Sequence, residues 1–305
     1  MFLRLKRFNL PLLFLASSIP GLRTSAGKDT LIYLQRHNDI HKNGIHFDYE
    51  PFFAILIDFS TVVEDSRISW WLFNFIYGLL LLSLSRYISN KVVSHKNLAI
   101  SLLIIFAIDA AFNGMRSGLM YVFVLTAFVS SNKFGSYLSG VLGVLTHISG
   151  LIIAGLVWFR KRPIVFGLIL SIFFAFTYDY FLDIIAYNER LNSKFVRYSE
   201  TKNLSKYSGL VDLVLCALLY ISYRGRWSYT VIIPLVILVH LFWLENFYGV
   251  FRVYRLLLIF MLSLIWTQGI RWRAGYLMVS VFFILNFLKQ VVLTAGSEGG
   301  FLPFR

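Results

Sequence analysis

Residues 68–88 read Ile68-Ser-Trp-Trp-Leu-Phe-Asn-Phe-Ile-Tyr-Gly-Leu-Leu-Leu-Leu-Ser-Leu-Ser-Arg-Tyr-Ile88. A helix needs about 20 predominantly apolar residues to cross the hydrocarbon core of a bilayer, and this stretch supplies them. Working outward, apolar blocks of about 14 to 20 residues recur along the chain, separated by short charged clusters, which is the hydropathy pattern of membrane helices. They are Phe8–Leu22, Leu98–Phe112, Gly118–Ser130, Tyr137–Phe159, Ile164–Leu182, Leu210–Tyr223, Tyr229–Leu244, Leu256–Thr267 and Ala274–Leu288. Membrane β-strands would alternate apolar and polar residues, and these blocks do not. The fold class expected is all-α: a polytopic integral membrane protein forming one domain over residues 1–305, with about 10–12 transmembrane or half-membrane helices.

Composition agrees. Of 305 residues, 58% are apolar and only 14% charged, with a mean hydropathy of +0.70. A soluble domain carries about a quarter charged residues and would have too little polar surface here to cover its core. The net charge of +14 is spread over many short loops. That argues against nucleic acid as a partner, since no basic domain gathers the charge. Cys216 is the single cysteine, so an intrachain disulfide is impossible. A secretory signal peptide would share the order of Arg4, Lys6 and Arg7 followed by Phe8–Leu22. Pro11 and Pro20 interrupt that apolar run and many blocks follow, so residues 1–22 read as a first span.

Basic clusters at Arg4/Lys6/Arg7, Arg86/Lys91/Lys96, Lys133, Arg160/Lys161/Arg162, Arg224/Arg226 and Arg271/Arg273 contain no acidic residue. Threading them on the cytoplasmic side places the N-terminus in the cytoplasm. Lys133 and Arg160 then share a side although one apolar block joins them. A re-entrant hairpin over about 136–159, turning near His147-Ile-Ser-Gly150, resolves this, and a miscounted span elsewhere is the alternative. The outer face receives residues 23–67, with Glu50–Val63 as an interfacial helix, then 183–208, the tail 289–305 and two short turns, Asn113–Arg116 and Glu245–Arg255. Arg23, Arg116, Arg197, Arg252 and Arg255 sit there at or near span ends. A guanidinium in that position either snorkels or pairs with an anion, and its donor fork suits phosphate. Asp109 falls seven residues before Arg116 and offers it an internal ion pair. His37, His41 and His46, with Asp39 and Asp48, match no metal template and read as a solvated loop. No Walker loop, GxSxG, HExxH or nucleotide-binding glycine motif occurs in a suitable context.

Several ordered segments then become informative together. Arg23-Thr-Ser-Ala-Gly27-Lys-Asp29-Thr-Leu-Ile-Tyr33 precedes Phe47-Asp-Tyr-Glu50-Pro51-Phe-Phe. Asn113-Gly-Met-Arg116-Ser-Gly-Leu119 opens a block, and His147-Ile-Ser149-Gly-Leu151 follows. Lys194-Phe-Val-Arg197-Tyr198 and Arg252-Val-Tyr-Arg255 come later. In order and spacing these resemble the EpsG family of membrane polysaccharide polymerases, which includes Wzy-type O-antigen polymerases. Ser117 stands where the family usually has Gln, and Gly150 where Ala is more usual. The resemblance covers about residues 20 to 260.

The resemblance implies a GT-C-like polymerase architecture in the bacterial inner membrane. The reaction it implies is transfer of a glycan from undecaprenyl pyrophosphate to a lipid-linked repeat unit on the outer face. Arg116, Arg252 and Arg255 would hold pyrophosphate, with Arg197 and Tyr198 as a loop clamp and Arg23 and Tyr33 as further substrate contacts. Glu50, His147 and Asp29 are the candidate bases. The implied partners are the lipid-linked glycan and membrane lipids, with a chain-length regulator as a further candidate. No cofactor and no metal is implied. An O-antigen ligase-like transferase would share the donor but typically carries one large outer loop. A lipid-oligosaccharide flippase would show repeated halves, and none is found. A membrane acyltransferase would also use an intramembrane histidine, but its partner pattern is absent.

Overall fold

A computed structural model describes residues 10–18, 30–45, 50–91, 115–147, 150–159 and 271–288, together with 162, 165–169, 172, 214, 217–218 and 221–222. Every element among these residues is a helix. The chain divides into two compact units, one comprising Met1–Ala154 and Ser280–Arg305, the other Gly155–Val279.

In the first unit, helix α1 spans Leu10–Ser18, α2 Thr30–Asn43, α3 Pro51–Ser60 and α4 Ser66–Lys91. The block that opened the sequence reading lies within α4, whose 26 residues extend about 39 Å at 1.5 Å per residue. Among the described residues, one helix is long and apolar enough to cross a membrane, over Ser66–Ile88. Asp65 starts it: its carboxylate accepts from the backbone N–H of Ile68 at 3.0 Å and of Arg67 at 2.8 Å. These bonds satisfy orphan donors of the first turn and hold the carboxyl below the usual range. Ser17 of α1 meets α4 at Gly78, where a Cβ would lie 2.9 Å from the Ser17 carbonyl oxygen. Only a glycine admits that approach.

Helix α2 ends where Gly44 adopts φ +82 and donates its N–H to the Ile40 carbonyl, a left-handed C-terminal cap. Its inward stripe is Tyr33, His37 and Ile40, spaced by the helical repeat. The expectation of a solvated loop here is therefore corrected. His37 is fully buried, with Nε2 3.0 Å from Ser69 Oγ and 3.4 Å from Ser60 Oγ, and its ring meets Trp70 edge-on. His41 Nε2 donates to the Glu64 carbonyl at 3.0 Å. The polar run Gln35-Arg-His-Asn-Asp39 conceals this in the sequence, because the hydroxyls that meet Nε2 come from α3 and α4, while Nδ1 is buried without a hydrogen-bond partner.

Burial lowers the His37 pKa from its ordinary value, and the neighbouring charge of His41 acts in the same direction, against hydrogen bonds from Asn38 and Ser69. The unfolded chain thus binds this proton more readily than the folded one. Stability is full above the ordinary histidine range, about 6.5, and declines as pH falls below it. Thermal unfolding between pH 8 and 5.5 is expected to show this decline, with a flatter profile for His37→Gln. An identical pH profile for the variant would remove His37 as the cause.

Helices α5, Met115–Val129, and α6, Lys133–Thr146, form an antiparallel hairpin through residues 130–132. Asn132 caps α6 by accepting from the Phe134 N–H at 3.1 Å. The two helices approach closely at Gly143, where a Cβ would lie 2.8 Å from Val124 Cγ2. Small residues, Gly140, Gly143 and Thr146, form the buried face of α6. Phe134, Tyr137, Leu138, Val141 and Leu145 form its exposed face. Large apolar groups outside and small groups inside reverse the pattern of a water-soluble helix and match helix packing in lipid.

Helix α6 stops at Thr146, where His147 turns extended at φ −158 and ψ 127. Helix α7, Gly150–Trp158, begins as the Gly150 N–H donates to the His147 carbonyl at 2.8 Å. A Cβ on Gly150 would lie 2.9 Å from the Gly143 carbonyl oxygen, so the chain folds back on the last turn of α6. The helix break thus falls at the expected position. In the second unit, Phe159 stacks on Phe166, and Phe166 packs against Gly155 where any side chain would clash. The Arg271 N–H donates to the Ser222 carbonyl, just before α8, Arg273–Leu288.

Candidate functional site

Glu50 occupies the N-cap position of α3, ahead of Pro51, whose fixed φ suits the first helical turn. Its carbonyl accepts from the Ala54 N–H at 3.0 Å, but its side chain makes no capping bond. The carboxylate instead turns into the first unit, where it is only 6% exposed. An unpaired charge at that depth would be costly. Three groups meet it.

Arg116 Nη1 donates to Glu50 Oε2 at 2.7 Å, a short charge-assisted bond. Arg36 Nη1 lies 3.6 Å from the same oxygen, an ion pair beyond hydrogen-bond length. His147 Nε2 lies 3.9 Å from the other oxygen, Oε1. The Arg116 guanidinium also sits 5.6 Å from the centre of the Tyr33 ring, within cation–π range.

Helix topology explains the meeting. Arg116 opens α5 and His147 closes α6, so the antiparallel hairpin brings both to one end. Tyr77 of α4 donates its hydroxyl to the Met115 carbonyl at 3.0 Å, fixing the start of α5 beside Arg116. Tyr33 and Arg36 are three residues apart on α2 and so project to one side of it. Packing of Tyr33 on Phe53, at 5.6 Å, docks α2 against α3.

Four residues singled out from sequence, Tyr33, Glu50, Arg116 and His147, therefore come together. The carboxylate against Arg116 is Glu50, whereas Asp109 lies outside the described residues, as do Arg23, Asp29, Arg197, Tyr198, Arg252 and Arg255. Sequence reasoning missed Arg36 and Tyr77. Arg36 was hidden in a polar run, and its signal was the helical spacing from Tyr33. Tyr77 was hidden in an apolar block, and nothing in the sequence separates its hydroxyl from those of other tyrosines.

The buried carboxylate with converging arginines joins the ordered motifs to a real cluster, and the chain matches the EpsG family over residues 7–305. The chain belongs to the EpsG family. No curated protein and no solved structure matches it. EpsG membership supports a polysaccharide-related polymerase role at a membrane, with lipid-linked glycans as the substrate class.

Proposed function

We propose that this EpsG-family chain polymerises a bacterial surface polysaccharide, moving a glycan from undecaprenyl pyrophosphate to a lipid-linked repeat unit on the outer face of the inner membrane. The observation that carries the reading is the buried Glu50 carboxylate, which gathers Arg116 and His147 at one helix end.

In the proposed step an acceptor hydroxyl oxygen bonds to the anomeric carbon of the donor sugar. The bond from that carbon to the pyrophosphate oxygen breaks, and undecaprenyl pyrophosphate leaves with the electron pair. His147 takes the hydroxyl proton, and Glu50, facing it through Oε1, balances the imidazolium charge. Their 3.9 Å separation is long for a hydrogen bond but ordinary for a catalytic pair without substrate. Arg116 stabilises charge on the leaving group. Arg252, Arg255, Arg197, Tyr198, Arg23 and Asp29 keep, as proposals, the roles that the family motifs suggest.

The proposed chain is polytopic, with its N-terminus in the cytoplasm. Helices α6 and α7, 14 and 9 residues long, extend only about 21 and 14 Å, short of the roughly 30 Å hydrocarbon core. A re-entrant hairpin open to the outer side accommodates both and supports the outer placement of His147.

Purified protein in lipid is expected to lengthen lipid-linked repeat units and release undecaprenyl pyrophosphate in proportion to the bonds formed. Translocation of the repeat unit across vesicles without any lengthening would replace this reading with a flippase.

A further inference from the structure

Two neighbouring residues at the start of α5 are gripped from two other helices. The Arg116 guanidinium lies 5.6 Å from the centre of the Tyr33 ring on α2, and the Met115 carbonyl accepts from the Tyr77 hydroxyl on α4 at 3.0 Å. The two tyrosines are joined through the core. Tyr33 packs on Phe53 of α3 at 5.6 Å, Phe53 meets Phe73 of α4 edge-on at 5.5 Å, and Phe73 lies one turn from Tyr77, at 6.5 Å. Phe53, Phe73 and Tyr77 are fully buried, and Tyr33 is 3% exposed. Rings packed this closely have little room to shift. A phenylalanine at position 77 would fill the same space without burying a hydroxyl. Packing alone therefore does not call for this oxygen, which here serves the chain beside Arg116.

We infer that Tyr33 and Tyr77 are positioning residues for glycan transfer, aiming the Arg116 guanidinium at the leaving group from the two ends of one aromatic brace. The inference rests on the polymerase reading and gives Arg116 its supporting structure. An arginine side chain is long and rich in rotamers, so presenting donors in one direction requires holding both its base and its tip. Helix α5 begins at Met115, and the first turn of a helix is its least constrained part. The Tyr77 bond ties that turn to the middle of α4 and so holds the base. The Tyr33 ring and Glu50 Oε2, the latter at 2.7 Å, hold the tip. Because Tyr33 is buried, its route to the chemistry runs through Arg116 rather than through contact with sugar or phosphate. A displacement of about 1 Å at such a group can cost roughly a hundredfold in rate.

The test follows lengthening of lipid-linked repeat units by the full chain in liposomes, with a radiolabelled donor on undecaprenyl pyrophosphate. Tyr77→Phe, which removes one oxygen, is expected to lower kcat about tenfold with KM within about twofold of wild type, because an aim is lost and not a substrate contact. Tyr33→Leu, which removes the ring face, should lower kcat to a similar extent, and Tyr33→Phe should recover most of that loss. In an Arg116→Lys background, Tyr77→Phe should cost less than about twofold further, since the group it aims is already gone. Wild-type kcat in Tyr77→Phe, at equal folded protein, overturns the inference while leaving the polymerase reading intact. The same loss in both backgrounds also overturns it, and makes Tyr77 a structural residue only. A raised KM at unchanged kcat overturns it as well, and makes the tyrosines substrate contacts. Where Tyr33→Leu fails to fold, the two Tyr77 comparisons decide. Absence of lengthening by the wild type counts against the polymerase reading itself.

Discussion

Cells carrying Arg116→Ala are expected to lose long glycan chains while single repeat units are still capped onto their final acceptor. Arg116 makes the shortest ion pair of the cluster, 2.7 Å to Glu50 Oε2, and its guanidinium lies over Tyr33. Both contacts fix the direction in which it presents donors to a leaving group. Removing one preorganised donor of this kind costs about 2.7–4 kcal/mol of barrier, roughly a hundredfold to a thousandfold in rate. Polymerisation compounds that deficit at every addition, so chain length is a sensitive readout. Arg116→Lys should rescue poorly, since an ammonium keeps the charge but loses the planar fork and the stacking on Tyr33. Glycan electrophoresis beside an immunoblot for protein level makes the comparison. Chain length like that of the wild type, at equal protein level, would remove Arg116 from the chemistry.

Glu50→Ala is expected to strike both the fold and the activity. The substitution leaves two guanidiniums facing each other in a largely buried site. Breaking a buried pair from one side costs about 3–5 kcal/mol, and the partial exposure of both arginines argues for the lower end, about 3 kcal/mol. Glu50→Gln keeps the shape but not the charge, so it should lose activity with a smaller loss of stability. A double-mutant cycle with Arg116→Ala separates the effects: the double variant should be more stable than the two single losses predict, because both partners of the 2.7 Å contact are gone and two guanidiniums no longer face each other. Thermal unfolding in detergent, followed by tryptophan fluorescence, measures each corner. Additive losses would mean that the 2.7 Å contact couples nothing.

These expectations depend on a site that was half legible in advance. Ordered motifs singled out Glu50, Arg116, His147 and Tyr33, each resting on a short local pattern. Arg36 was invisible because Gln35-Arg-His-Asn-Asp39 resembles a solvated face. The same run misassigned His37, which the structure places in the core against Ser60, Ser69 and Trp70. In both cases partners distant in sequence decided the role. The partner of Arg116 illustrates the limit further. The carboxylate that meets it belongs to Glu50, 66 residues away, while Asp109, nearer in sequence, lies outside the described residues.

By itself the sequence determined the helical class, the family motifs and the helix break at His147. These are local properties: an apolar block of sufficient length satisfies its own backbone hydrogen bonds, and a motif is read within a few residues. Only the tertiary structure decided which charges pair and which small residues let helices approach. It set Glu50 beneath two arginines, buried His37 and brought Gly143 against Val124. The reason is that burial and pairing depend on distance in space, and helix packing brings together residues whose separation along the chain carries no record of it.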